Sequence, residues 1–94
     1  MMPLKTKKWD TADYLKTKKD IAAYLDAVLE EGDAELLRVA LGNIARAKGM
    51  TEIARAAGVG RSHLYKALSP DGDPGFATVT SVLKALGLRL SVAL

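Results

Sequence analysis

The chain has 94 residues, the size of one small domain, and 49% of them are apolar against 27% charged. This balance is typical of a folded globular protein and argues against intrinsic disorder, while the absence of cysteine excludes disulfides and thiol chemistry. No stretch approaches the roughly 18 consecutive apolar residues of a membrane span, and the N-terminal residues lack the apolar segment of a secretory signal. We therefore expect a single cytoplasmic domain over 1–94 that does not contact a membrane.

The net charge of +3 is unevenly distributed along the chain. Residues 1–19 carry six lysines and two aspartates, residues 20–47 carry six acidic groups and two arginines, and residues 48–68 carry four basic groups and one glutamate. A basic segment next to an acidic one favours one face toward phosphate and another facing away. The alternative is that these are solvated charged faces with no partner.

Helix signals begin after an N-terminal arm over 1–16. Thr17, followed three residues later by Asp20, resembles a capping box and predicts a helix that ends at Gly32. Its apolar residues recur at helical spacing, which predicts one buried face. They are Ile21, Leu25, Val28 and Leu29.

A second helix is predicted from an Asp33 cap to Gly49. Its apolar stripe is interrupted by Gly42, which costs about 1 kcal/mol relative to alanine inside a helix. We therefore expect a close contact with another element at Gly42. The stripe consists of Leu36, Leu37, Ala40, Leu41 and Ile44.

Residues 50–69 carry the pattern of a helix-turn-helix. Thr51 is the expected cap of the first short helix, Gly58 can adopt the left-handed conformation that ends it, and 61–68 form the second. Small and apolar residues stand where the two helices must pack together. These are Ile53, Ala54, Ala57, Val59 and Leu64. This pattern points to DNA binding.

The last elements are a helix and a strand. Asp73 and Pro74 are the expected cap and first residue of a helix that ends at Gly87, with a buried stripe of Phe76, Val79, Val82, Leu83 and Leu86. In 88–94 apolar residues alternate with others, which predicts a short C-terminal β-strand. Its partner would be either the segment Pro3–Trp9 or the same strand of a second copy, and the second arrangement would create a two-fold homodimer. The expected fold is thus mainly α, a compact helical domain with one terminal strand.

The second helix of the pattern must turn one face to the core and the other to the major groove. Leu64, Ala67 and Leu68 are expected to face inward. Arg61 is the best candidate for a bidentate contact to guanine, since such a pair contributes about 1–3 kcal/mol of discrimination. The complete set of candidate DNA contacts is Arg61, Ser62, Tyr65, Lys66, Lys48 and Ser69. Tyr65 could contact a phosphate or a thymine methyl. For Arg61, Lys66 and Tyr65 the alternative is a solvated side chain with no ligand.

No catalytic, metal or cofactor site can be assembled from the sequence. His63 is the single histidine, and a metal or acid-base site needs further partners beside it. The pair Asp71 and Asp73 lacks the later ligands of a calcium loop, and Gly58 and Gly60 do not form a phosphate loop. We expect a protein that is not an enzyme and that holds no cofactor or metal.

Three segments between Thr17 and Ser91 resemble one family: DIAAYLDAVLEEGD, LGNIARAKGMTEIARAAGVGRSHLYKALS and FATVTSVLKALGLRLS. They look like the addiction-module antidote proteins, small HigA-like antitoxins of the Cro/repressor-type helix-turn-helix class. The most specific parts are RSHLYKALS and GDPGFATV. The resemblance implies an autorepressor that binds the operator of its own operon and also neutralises a RelE/HigB-like toxin. Met50 and Glu52 depart from repressors that place a glutamine near this point to meet a phosphate, and Glu52 would repel one.

Two other functions remain open from the residues alone. One is a stand-alone or phage-type repressor without a toxin partner, and the other is an interaction module that has lost DNA binding. A toxin surface is not marked by a motif. The candidates are the arm with Trp9 and Tyr14, and the acidic surface around Asp26, Glu30, Glu31 and Glu35.

Overall fold

A computed structural model describes residues 17–92, which form five helices. In chain order these are α1 (Lys18–Glu31), α2 (Ala34–Lys48), α3 (Met50–Ala57), α4 (Arg61–Ala67) and α5 (Phe76–Ala85). The mainly helical fold class is confirmed. None of the described helices is long and apolar enough to cross a membrane. The predicted N-terminal arm over 1–16 lies outside the described residues.

The first two helices begin and end where their local signals predict. The Thr17 hydroxyl accepts a hydrogen bond from the Asp20 N–H at 3.0 Å, and the Asp20 carboxylate accepts one from the Thr17 N–H at 3.3 Å. Gly32 ends α1 in the left-handed conformation at φ 68°. Asp33 then caps α2 by accepting from the Glu35 N–H at 2.9 Å and the Leu36 N–H at 3.3 Å. The reciprocal capping box and the Asp33 cap are confirmed.

Each helix contributes to one apolar core. Its largest fully buried side chains come from four helices and are Ile21, Leu41, Ile44, Leu64 and Val82. Burying side chains of this size removes several hundred square ångströms of apolar surface from water, at about 25 cal/mol for each Å². Leu29 and Leu36 were predicted in the buried stripes, but they are 44% and 38% exposed. The face that α1 and α2 bury in the core is therefore narrower than their apolar periodicity predicts.

Gly42 makes the close contact that the sequence predicts. A Cβ added there would lie 3.3 Å from the Leu68 carbonyl oxygen and 3.3 Å from Nη1 of Arg46. The backbone just after α4 thus packs directly on α2 at this position. Glycine is used inside α2 because it allows this approach.

Two helix starts differ from the prediction. The helix α3 begins at Met50, not after a Thr51 cap, because the Met50 side chain is 7% exposed and is drawn into the core. Its N-cap is Gly49, which makes no side-chain hydrogen bond. The helix α5 begins at Phe76, and not at Pro74 after an Asp73 cap. An α5 that began at Pro74 would have to include Gly75, which is unfavourable inside a helix.

The predicted burial of Phe76 is wrong. Its side chain is 74% exposed. Phe76 is the first residue of α5, at its N-terminal end, and no described element covers its side chain there. The other members of the predicted stripe are buried or half-buried: Val79, Val82, Leu83 and Leu86.

The predicted C-terminal strand over 88–94 is not seen. Residues 88–92 are irregular, and 93–94 lie outside the described residues. The Leu88 N–H donates to the Leu83 carbonyl at 2.8 Å and the Gly87 N–H to the Lys84 carbonyl at 2.9 Å, so this backbone completes the end of α5. A strand also requires a ladder partner, and no described segment supplies one. Leu88 packs on the core, while Leu90 and Val92 remain exposed.

Candidate nucleic-acid interface

The corner between α3 and α4 is built by two glycines and one valine. Gly58 adopts φ 74° and its N–H donates to the Arg55 carbonyl at 3.2 Å, while the Val59 N–H donates to the Ala54 carbonyl at 3.0 Å. Val59 is half-buried and packs on the core. Gly60 is extended and α4 begins directly after it. The helix pair and the glycine corner predicted within 50–69 are therefore present.

One face of α4 is fixed in the core. Leu64 is 0% exposed and Leu68, which follows the helix, is 3% exposed. Ala67 is half-buried. The inward face predicted from the sequence is confirmed.

The opposite face of α4 brings four of the six predicted DNA contacts together. Arg61, Ser62, Tyr65 and Lys66 are all exposed, Tyr65 at 57%. Arg61 and Tyr65 are separated by one helical turn, as are Ser62 and Lys66, so each pair lies about 6 Å apart along the axis. Two cations, a hydroxyl and a phenol therefore share a surface about one and a half turns long.

These four side chains are not used within the described part of the fold. None of them makes a hydrogen bond or an ion pair with another residue in 17–92. The positive charge of Arg61 and Lys66 is therefore not neutralised by described neighbours. A positive surface with free donors suits an anionic partner.

The other two predicted contacts are placed differently. Ser69 is half-buried, and its hydroxyl donates to the Lys66 carbonyl at 2.7 Å. Lys48 ends α2 and lines a groove with Lys18 and Glu52, and no α4 residue lines that groove. Neither residue joins the exposed face of α4.

Glu52 lies in the first turn of α3, where it is exposed. Its Oε1 is 3.6 Å from the position that a Cβ on Gly49 would occupy, so the carboxylate lies near the start of the helix. A negative charge there interacts favourably with the helix dipole. Glu52 therefore stabilises a helix start that has no side-chain cap.

Sequence reasoning missed Arg38, a buried charged residue on α2 that is 6% exposed. Its Nη1 donates to the Leu68 carbonyl at 3.1 Å and to the Ser69 carbonyl at 2.8 Å. Its Nε donates to Glu35 Oε1 at 3.2 Å, and Nη2 pairs with Glu35 Oε2. This hydrogen bonding from Arg38 lowers the pKa of Glu35, against the smaller opposing effects of desolvation and Asp33. The available signal was the spacing of Glu35 and Arg38, three residues apart on one helix face.

Among residues 17–92 no group of histidine, aspartate and glutamate side chains could hold a metal ion. His63 is exposed on α4.

A family model described as "Probable addiction module antidote protein" matches residues 5–94. A protein of Haemophilus influenzae (strain ATCC 51907 / DSM 11121 / KW20 / Rd), described as "Uncharacterized protein", is 50% identical over 86 residues, which cover 92% of this chain and 89% of the relative. No solved structure gives a significant match.

Proposed function

The chain belongs to the family of probable addiction module antidote proteins, and from this premise we propose that it binds operator DNA through a Cro/repressor-like helix-turn-helix formed by α3 and α4. In this proposal α4 is the recognition helix. The chain acts as the autorepressor of its own operon and neutralises a RelE/HigB-like toxin by binding it. The chain acts in the cytoplasm, where it meets both partners, and it is not an enzyme.

The observation that carries DNA binding is the exposed face of α4, where Arg61, Ser62, Tyr65 and Lys66 have no partner in the described fold. Arg61 is in the first turn of the recognition helix, which reaches deepest into a major groove. Its guanidinium matches the two acceptors of guanine. Lys66 and Tyr65 suit phosphate contacts, which fix position without reading sequence.

The support for toxin binding is the family together with an acidic surface. Asp26, Glu30 and Glu31 are exposed on the second half of α1, and none of them forms an ion pair with a described residue. A basic partner, such as a ribonuclease-like toxin, complements this surface. The surface lies on a different helix from α4, so the proposal allows toxin and DNA to be bound by different parts of the chain.

The proposal also includes a homodimer. Leu90 is 42% exposed and Val92 is fully exposed, in a segment whose apolar residues alternate. Contact of this segment with the same segment of a second copy would cover these side chains in a two-fold homodimer. Sedimentation of the wild-type chain and of Val92→Arg tests this, since a shift of the variant toward monomer is expected.

DNA binding is tested by titrating the chain with a duplex from upstream of its own gene and with a shuffled duplex, at several salt concentrations. We expect preference for the upstream duplex, and affinity that falls steeply with salt as counterions are released. Arg61→Ala should remove the preference, while Arg46→Ala on the exposed side of α2 should keep it. Absence of binding to either duplex would favour an interaction module, and preference without any toxin partner would favour a stand-alone repressor.

A further inference from the structure

We propose that Arg38, held in place by Glu35, is a positioning residue that fixes the C-terminal end of α4 against α2 and thereby sets how well α4 discriminates between DNA sequences. This inference rests on the proposed DNA binding. Arg38 touches no DNA in this proposal. It acts through the backbone that carries the recognition helix.

The guanidinium of Arg38 joins two elements that are far apart in sequence. One nitrogen, Nη1, donates to the carbonyls of Leu68 and Ser69, which lie 30 and 31 residues further along the chain. Nε and Nη2 are directed to the carboxylate of Glu35, which fixes the plane of the group. Because the guanidinium is planar, two of its nitrogens bound to the Glu35 carboxylate also fix the direction in which Nη1 donates.

The backbone that accepts these hydrogen bonds also packs closely on α2. The Leu68 carbonyl oxygen lies 3.3 Å from where a Cβ on Gly42 would be, so α2 and this backbone are already in contact. The Ser69 carbonyl also accepts from the Gly72 N–H at 2.8 Å. Arg38 on α2 therefore donates to both carbonyls that follow α4, and the Gly72 N–H donates to one of them as well.

The opposite end of α4 is held by the packing of Val59 on the core and not by a side-chain hydrogen bond. Its N-cap is Gly60, which makes no side-chain capping hydrogen bond. The helix has 7 residues and is thus about 10 Å long, so a tilt at its C-terminal end moves Arg61 directly. Contacts to base edges require placement within about 0.5 Å, whereas a phosphate contact tolerates more movement. Loosening the Arg38 contact should therefore reduce discrimination more than general DNA affinity.

A purely structural role makes a different prediction. If Arg38 only adds global stability, its loss lowers the melting temperature, but the folded fraction still distinguishes the upstream duplex from a shuffled one. Hydrogen exchange would then change across the whole domain. A positioning role predicts faster exchange concentrated at the end of α4, and a lower ratio of specific to non-specific affinity.

The experiment compares Arg38→Met, Glu35→Gln and the control Lys84→Met, an exposed lysine on α5 whose side chain makes no hydrogen bond to the end of α4. Amide exchange at Leu68 and Ser69 is measured together with affinity for the upstream and shuffled duplexes. Glu35→Gln keeps the buried arginine in place, so it remains informative if Arg38→Met fails to fold.

We expect both test variants to accelerate exchange at the end of α4 and to lower the affinity ratio, by roughly tenfold for Arg38→Met, with the control within about twofold of wild type. Unchanged exchange, or faster exchange with an unchanged ratio, would overturn the positioning role. A wild-type chain with no duplex preference would instead overturn the proposed function, and with it the role in discrimination, while exchange would still report whether Arg38 holds α4.

Discussion

Replacing Gly72 with alanine should destabilise the fold, although Gly72 does not need a left-handed backbone. A Cβ at Gly72 would lie well inside 3.0 Å of the Lys66 and Ala67 carbonyl oxygens and 2.5 Å from the Ala67 carbonyl carbon. These atoms are backbone at the end of α4, so they cannot move aside as a flexible side chain does. Overpacking costs about 1–3 kcal/mol, and a clash with backbone at two positions places this variant near 3 kcal/mol.

The loss is measurable by thermal unfolding followed by circular dichroism. A change of 1 kcal/mol shifts the melting temperature of a small domain by about 4–8 °C, so Gly72→Ala should lower it by about 12–24 °C. The matched control is Gly75→Ala in the same loop, where an added Cβ meets no atom within 4 Å. Gly75 is the N-cap of α5, and the control should therefore cost less than about 1 kcal/mol. Equal melting temperatures for the two variants would refute the close packing of this loop on α4.

Three further predictions concern the α4 surface and the residues that hold it. Arg61→Ala should remove the preference for the upstream duplex and leave the melting temperature within a few degrees of wild type; retained preference in a binding titration would exclude Arg61 as a base contact. Lys66→Ala should weaken all duplexes alike and reduce the slope of log affinity against log salt by about 0.9, the value for one phosphate contact. A loss restricted to one sequence would instead indicate base recognition. Because the hydrogen bond from Arg38 lowers the pKa of Glu35 below its ordinary value of 4.5, ionised Glu35 stabilises the fold above that pH. The stability advantage of wild type over Glu35→Gln, measured by urea unfolding, should decrease as the pH falls through the lowered pKa of Glu35. A constant difference from pH 7 to pH 3 would contradict the pairing.

The helix ends that sequence analysis predicted correctly are those set by local chemistry. Thr17 and Asp33 cap their helices with hydrogen bonds to residues two or three positions away, and Gly32 and Gly58 end helices because their φ angles of 68° and 74° disfavour other residues. The inward face of α4 followed from spacing alone. Such signals need no knowledge of the rest of the fold.

The errors have a different origin, because they depend on contacts that spacing does not reveal. Met50 extends α3 toward the core, and Phe76 is exposed because α5 begins at that residue. The alternation in 88–92 predicted a strand, but a ladder needs a partner that the described chain does not supply.

The candidate site shows the same division. Four neighbouring contacts on α4 were predicted together, since one helix carries them all. Ser69 lies just beyond the end of α4 and its hydroxyl bonds back to the Lys66 carbonyl, while Lys48 lines a groove that α4 does not reach. The contact of Arg38 with the Leu68 carbonyl spans 30 residues, so nothing in the local sequence around either residue indicates it.

We propose that this chain neutralises its toxin by direct binding while α4 binds DNA. It is tested most directly by co-expressing a tagged copy with the product of the adjacent reading frame, and by measuring growth rescue and co-purification together for wild type and Arg61→Ala. Both forms are expected to rescue growth and to retain the neighbour's product. Failure of the wild type to do either would contradict neutralisation by binding, and rescue by the wild type alone would contradict the separation of the α4 surface from the toxin surface.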